Sequence, residues 1–179
     1  DTIQDPGYSR HVCMGWNYRM PELCAAVALA QTENLEIHVE KRKKVASIFL
    51  ESIDKFKNWF IPQKVPNDCV NSYWAFVCRL DSDKISWYEF KNKFYENGGD
   101  NIYGAWKLTY LEPMFLETNL LHREKFISNY NLDTYKTGLC PVAEEIQSQL
   151  IQFKTNYWDM ESAYKQANAL KKTLSELKP

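Results

Sequence analysis

No apolar run in this chain approaches the roughly 20 residues needed to cross a bilayer, and its start does not resemble a signal peptide. Neither sign of charge dominates: 22 basic and 23 acidic side chains give a formal charge of −1. That balance offers no electrostatic case for nucleic acid or for an anionic membrane as partner. The five cysteines (Cys13, Cys24, Cys69, Cys78 and Cys140) are odd in number, scattered, and never form a C-x-x-C pair. A disulfide framework and a zinc site are therefore both disfavoured. Reduced, mostly buried thiols in a cytoplasmic protein are the expectation. The three histidines, His11, His38 and His122, lie far apart and show no metal-ligand spacing. No G-x-S-x-G, P-loop or G-x-G-x-x-G occurs, and Gly98-Gly99 reads as a helix stop.

What the chain does have is apolar material. Hydrophobic residues make up 45% and aromatics 15% of 179 residues, enough for one domain, or one with appended helices. The chain opens Asp1-Thr2-Ile3 without an initiator Met, as expected of a processed or excised piece.

Residues 1–20 read as a loop with a Pro6-Gly7 turn. Pro21 suits the first helical position, where its missing N–H costs nothing. Leu23, Ala26, Val27 and Ala30 then form one face whose small residues invite close packing. A second helix is predicted from about Glu36 to Lys57, with Val45, Ile48, Phe49, Ile53 and Phe56 on one side. Its charge run Glu40-Lys41-Arg42-Lys43-Lys44 reads as a solvated face. Pro62 and Pro66 bracket a loop, and Tyr73 to Leu80 is the best strand. Ser86-Trp87-Tyr88-Glu89 is a capping box for a helix carrying Trp87, Phe90 and Phe94 on one face. Asn101 to Tyr110 reads as a strand or an ordered loop, and 112–138 is mixed. Pro141 starts a helix with Val142, Ile146 and Leu150 inward, Gln152 to Trp158 is extended, and Asp159 caps a last helix with Ala163, Ala167, Leu170 and Leu174 on its stripe. Few strands and several helices predict an α/β fold of α+β-like character, a small sheet covered by helices. The division expected is 1–57, motif loop and linking helices, then 58–179, a small C-terminal domain.

The most informative stretch is Gly15-Trp16-Asn17-Tyr18-Arg19-Met20-Pro21-Glu22-Leu23-Cys24-Ala25-Ala26. It places an amide and a guanidinium two residues apart before a helix N-terminus, a place suited to anions. By themselves Asn17 and Arg19 read better as an exposed pair capping that helix. The stretch resembles the G-x-N-x-R-M-x-E-L-x-A-A signature of the DegT-type sugar aminotransferases, which use pyridoxal phosphate, and it is this resemblance that turns the pair toward a cofactor role. Looser matches follow at Gly98 to Pro113 and at Cys140 to Asn156, which looks like the family's closing helix and short strand.

The resemblance implies the C-terminal region of a fold-type I pyridoxal-phosphate enzyme. Asn17 would reach a neighbouring subunit's site and contact the cofactor phosphate, with Arg19 positioning the turn. His11 lies where the family often has a histidine and is a substrate-binding candidate, although a lone His is more often a hydrogen-bonded structural residue. Tyr103, Trp106 and Tyr110 occupy a substrate-facing segment, although aromatic core is an equal reading of them. The departure Pro113-Met114-Phe115 replaces the Pro-Leu-His of many members. The lysine that carries the cofactor lies upstream of the motif, outside this chain, so the fragment alone is expected to be inactive. Lys107 and Lys154 are the lysines to check as substitutes, though neither has the family's context. The implied reaction moves an amino group, from a donor such as glutamate, onto a nucleotide-linked keto sugar in amino-sugar biosynthesis. A homodimer with shared active sites is implied as well. The alternatives are a sugar dehydratase of the same fold, with histidine in place of the cofactor lysine, and a non-catalytic dimerisation or binding module.

Overall fold

The computed structural model describes residues 2–12, 19–81, 83–116 and 135–177. Helix α1 (Glu22–Glu33) leads directly into α2 (Leu35–Ser52) through the Asn34 junction. A four-stranded antiparallel sheet follows, in the order β1 (Phe60–Pro62), β2 (Ala75–Leu80), β4 (Leu150–Lys154), β3 (Tyr103–Gly104). Helix α3 (Trp87–Glu96) lies between β2 and β3; α4 (Pro113–Leu116) and α5 (Pro141–Gln147) precede β4, and α6 (Met160–Glu176) ends the fold.

The alternation of β2 and β4 decides the layering. Phe76, Cys78, Leu80, Ile151 and Phe153 point to one face and are buried. Val45, Ala46 and Phe49 of α2, the Trp87-Phe90-Phe94 face of α3 and the Ala163-Ala167-Leu170-Leu174 stripe of α6 cover that face. The core is largely aromatic. Phe49 stacks on Phe76 at 5.4 Å and Phe60 on Phe90 at 5.2 Å, while Phe153 meets Phe94 edge-on at 5.5 Å. Each such ring, fully buried, contributes about 1.5–3 kcal/mol from removal of apolar surface alone. The helices start where their caps require: Ser86 Oγ accepts the Glu89 N–H at 3.1 Å and Asp159 Oδ1 the Ser162 N–H at 2.7 Å.

Several expectations are corrected. Strand β1, which no signal in the sequence announces, is three residues long and ends on Pro62, which the edge of a sheet tolerates. Helix α2 stops at Ser52, and Asp54–Phe56 tightens into a 3₁₀ turn. The strand expected from Tyr73 begins at Ala75, because Tyr73 has φ 51°. Val142 is exposed rather than inward, and Leu150 belongs to β4. The thiols are not mostly buried. Cys78 alone of the described cysteines falls on an inward strand position, and burial pushes its thiol pKa up; Cys24, Cys69 and Cys140 are exposed. Helix α1 buries none of its residues, with Leu23 79% and Val27 58% exposed, so its apolar face packs on nothing among the described residues. No helix of the described residues is long and apolar enough to cross a membrane.

A cationic and aromatic groove on the open face of the sheet

The sheet face away from the core carries Ala75, Gln152, Lys154 and Tyr103. The N-terminal segment is laid along the edge of this face. Gly104 N–H bonds Gln4 O at 2.7 Å, Gly7 N–H bonds Ala105 O at 2.8 Å, and Lys107 N–H bonds Tyr8 O at 3.1 Å. Gly104 is required there: a Cβ on it would lie 2.6–2.8 Å from Pro6.

Between this segment, the sheet and α2 lies a groove of about 320 Å³ lined by Arg10, Arg42, Lys154, Trp74, Tyr103 and Trp106, among others. Its lining holds cations and aromatic faces and no carboxylate. The Arg10 guanidinium sits over the Trp106 ring, 3.7 Å from its centroid. Trp106 is fixed in turn, its Nε1–H donating to Ile3 O at 2.8 Å and its ring edge-on to Tyr103 at 6.5 Å. Arg42 donates to Trp74 O and Thr155 Oγ1, each at 2.9 Å. The charge run on α2 is therefore not simply a solvated face: its helical spacing turns Arg42 toward the sheet. Lys154 Nζ shares its charge with Asp100 at 2.5 Å. A second hollow of about 530 Å³ adjoins the groove across Arg42 and Trp74 and contains His38, Tyr157 and Trp158.

The predicted site residues divide. Tyr103 and Trp106 line the groove. His11 is exposed and held by its backbone: its N–H donates to Glu112 Oε2 at 3.2 Å and its carbonyl accepts from Met114 at 3.0 Å. Arg19 is exposed, just before the cap of α1. Asn17 lies outside the described residues. Tyr110 is absent from the groove lining; its hydroxyl donates to Glu144, which also accepts Gly138 N–H at 2.8 Å. Burial, and then this bond, push the Tyr110 hydroxyl up to about 12, and the same bond together with the Gly138 amide holds the Glu144 carboxyl below its ordinary value.

Sequence reasoning missed Arg10, Arg42 and Lys154 as a cluster. Its only trace there is basic residues beside aromatics in separate segments. Neither lysine singled out earlier suits a carbonyl-trapping role. Lys154 is ion-paired and 43% exposed, and Lys107 Nζ is tied to Ser9 Oγ at 3.1 Å. The groove thus offers cations and ring faces to the anionic and ring-bearing parts of a ligand, and neither lysine is placed as a free, desolvated amine.

Comparison with known proteins agrees in kind. The family described as DegT/DnrJ/EryC1/StrS aminotransferase family matches residues 2–162. The chain is 31% identical over 64 residues to GDP-perosamine synthase of Escherichia coli O157:H7, covering 36% of this chain and 17% of that protein. It is 26% identical over 134 residues to a Bacillus subtilis (strain 168) protein named "Putative pyridoxal phosphate-dependent aminotransferase EpsN", covering 73% of this chain and 33% of that protein. The chain thus spans at most about a third of the length of these curated relatives.

Proposed function

The chain belongs to the DegT/DnrJ/EryC1/StrS aminotransferase family, and from that premise we propose that it forms the C-terminal, substrate-facing part of a sugar aminotransferase of amino-sugar biosynthesis. The acceptor is a nucleotide-linked keto sugar, and the amino donor is an amino acid such as glutamate. Pyridoxal phosphate, when bound, supplies the electron sink for moving the amino group. The observation that carries this reading is the pairing of Arg10 with Trp106 in a groove lined by Arg42 and Lys154.

That arrangement suits a sugar carried on a nucleoside diphosphate. Guanidinium groups match phosphate oxygens in charge and in fork geometry. Trp106 and Trp74 offer flat faces to a sugar or base ring. Arg10, already stacked on Trp106, spends little of its own rotamer freedom when an anion arrives. The uncovered apolar surface of α1, next to the Asn17 motif, supports a homodimer in which that motif completes a neighbour's site and Asn17 meets the cofactor phosphate.

Steady-state kinetics of the full-length protein tests the proposal. Trp106→Ala and Tyr103→Ala should raise KM for the nucleotide sugar by about tenfold or more while cofactor retention is unchanged. Equal loss of both, together with lowered stability, would assign these rings to packing. A product that has lost a hydroxyl without gaining nitrogen would assign the protein to the dehydratases instead.

A further inference from the structure

Glu112 is 1% exposed, although the backbone it serves is on the surface. Its carboxylate accepts Arg10 N–H at 3.0 and 3.2 Å and His11 N–H at 3.2 Å. A buried carboxylate is costly unless donors satisfy it. Here the donors are two successive backbone amides of the N-terminal segment. Two residues after Glu112, Met114 N–H donates to His11 O at 3.0 Å, closing the bracket from the other side. The bracket fixes the chain at the residue whose guanidinium lies 3.7 Å over Trp106. Glu112 and Trp106 belong to the same segment, so Arg10 is held by its backbone at one end of that segment and by its side chain at the other.

We infer that Glu112 is a positioning residue for anion binding. It acts through Arg10, holding that guanidinium in the groove, and it does not itself touch the ligand. The inference rests on the reading that this groove takes the phosphate-bearing part of the substrate. Its negative charge matters, because Arg10 and His11 both present N–H donors. Oε2 accepts both amides, so a carboxamide oxygen there could keep both bonds, but without the charge that strengthens them and with its NH₂ turned toward the Arg10 N–H in place of Oε1.

A double-mutant cycle in the full-length protein separates this role from simple packing, with inorganic pyrophosphate as probe and calorimetric titration as readout. Arg10→Ala should weaken pyrophosphate binding by about tenfold to a hundredfold. Glu112→Gln should weaken it by about tenfold in the native background and not at all in the Arg10→Ala background. A loss of equal size in both backgrounds, or no loss in the native one, would overturn the inference and leave the groove reading intact. No effect of Arg10→Ala would overturn the groove reading, and the inference with it. Should Glu112→Gln fail to fold, hydrogen exchange of the unmodified protein decides. The Arg10 and His11 amides should be protected and should gain protection on saturation with pyrophosphate. Exchange at the free-chain rate, or protection indifferent to pyrophosphate, would refute the coupling.

Discussion

The Arg42 guanidinium lies 2.9 Å from Thr155 Oγ1, and the same hydroxyl donates to Tyr73 O at 2.6 Å. Thr155 is 1% exposed and thereby joins α2, the end of β4 and the residue before Trp74. Tyr73 has φ 51°, a left-handed conformation that is uncommon for an aromatic residue and costs about 1–3 kcal/mol. Asn71 Oδ1 accepts its N–H at 2.8 Å and Thr155 holds its carbonyl, so the strained residue is bound on both sides. The product of this arrangement is an exposed Trp74 beside Arg42 in the groove.

Thr155→Val keeps the shape and removes the hydroxyl, leaving the Tyr73 carbonyl without its donor and Arg42 without one acceptor. Stability should fall by about 1–3 kcal/mol, measured by denaturant unfolding. Trp74 fluorescence should change as Tyr73 relaxes from the left-handed region. An unchanged unfolding midpoint would mean that the hydroxyl is not what restrains Tyr73.

Gly104→Ala should dislodge the N-terminal segment. The added Cβ meets Pro6 at 2.6–2.8 Å, mostly backbone that a side-chain rotation cannot clear. Hydrogen exchange should show faster exchange at Gly7, whose N–H bonds Ala105 O at 2.8 Å, while amides of β2 and β4 keep their protection. Limited proteolysis near residues 2–12 should speed up in parallel.

Tyr110→Phe tests the pair with Glu144. The Glu144 carboxyl is held below its ordinary value of 4.5, chiefly by the Tyr110 hydroxyl and then by the Gly138 amide. A lowered acid pKa contributes stability that is present above the unfolded value and is lost as pH falls through the folded one. Removing the hydroxyl should therefore shrink the difference in Tm between neutral and acidic buffer. On the alkaline side the raised Tyr110 pKa works the other way. Its contribution holds below 10 and fades toward about 12, and Tyr110→Phe should remove that limb as well.

Lys107 and Lys154 should not trap the cofactor. Incubation of this chain with pyridoxal phosphate and borohydride should give no specific incorporation beyond that of other surface lysines. Lys154 is ion-paired with Asp100 and 43% exposed, and Lys107 is tied to Ser9, so neither is the desolvated amine that such chemistry needs. Stoichiometric labelling abolished by Lys154→Ala or Lys107→Ala would reverse this.

Local sequence determined much of the scaffold, because its signals act over a few residues. Ser86 and Asp159 announced their helices through hydroxyl and carboxylate caps. The Trp87-Phe90-Phe94 and Ala163-Ala167-Leu170-Leu174 stripes announced which faces would be buried. The Gly15 to Ala26 motif pointed to the family, and the segment around Tyr103 and Trp106 supplies two of the rings that line the groove. Only the tertiary structure decided the rest, since it depends on groups far apart in the chain. Arg10, Arg42 and Lys154 become one groove because an N-terminal segment, a helix and a strand end converge on the open face of the sheet. Arg42 sat in a charge run that looks solvated until the fold supplies Thr155 and the Trp74 carbonyl as partners. Glu112 sat at the edge of a stretch with no readable period, and its meaning depends on two amides about a hundred residues away. Hydrophobic period and capping chemistry are properties of neighbours along the chain. A buried charge and its donors are a property of neighbours in space.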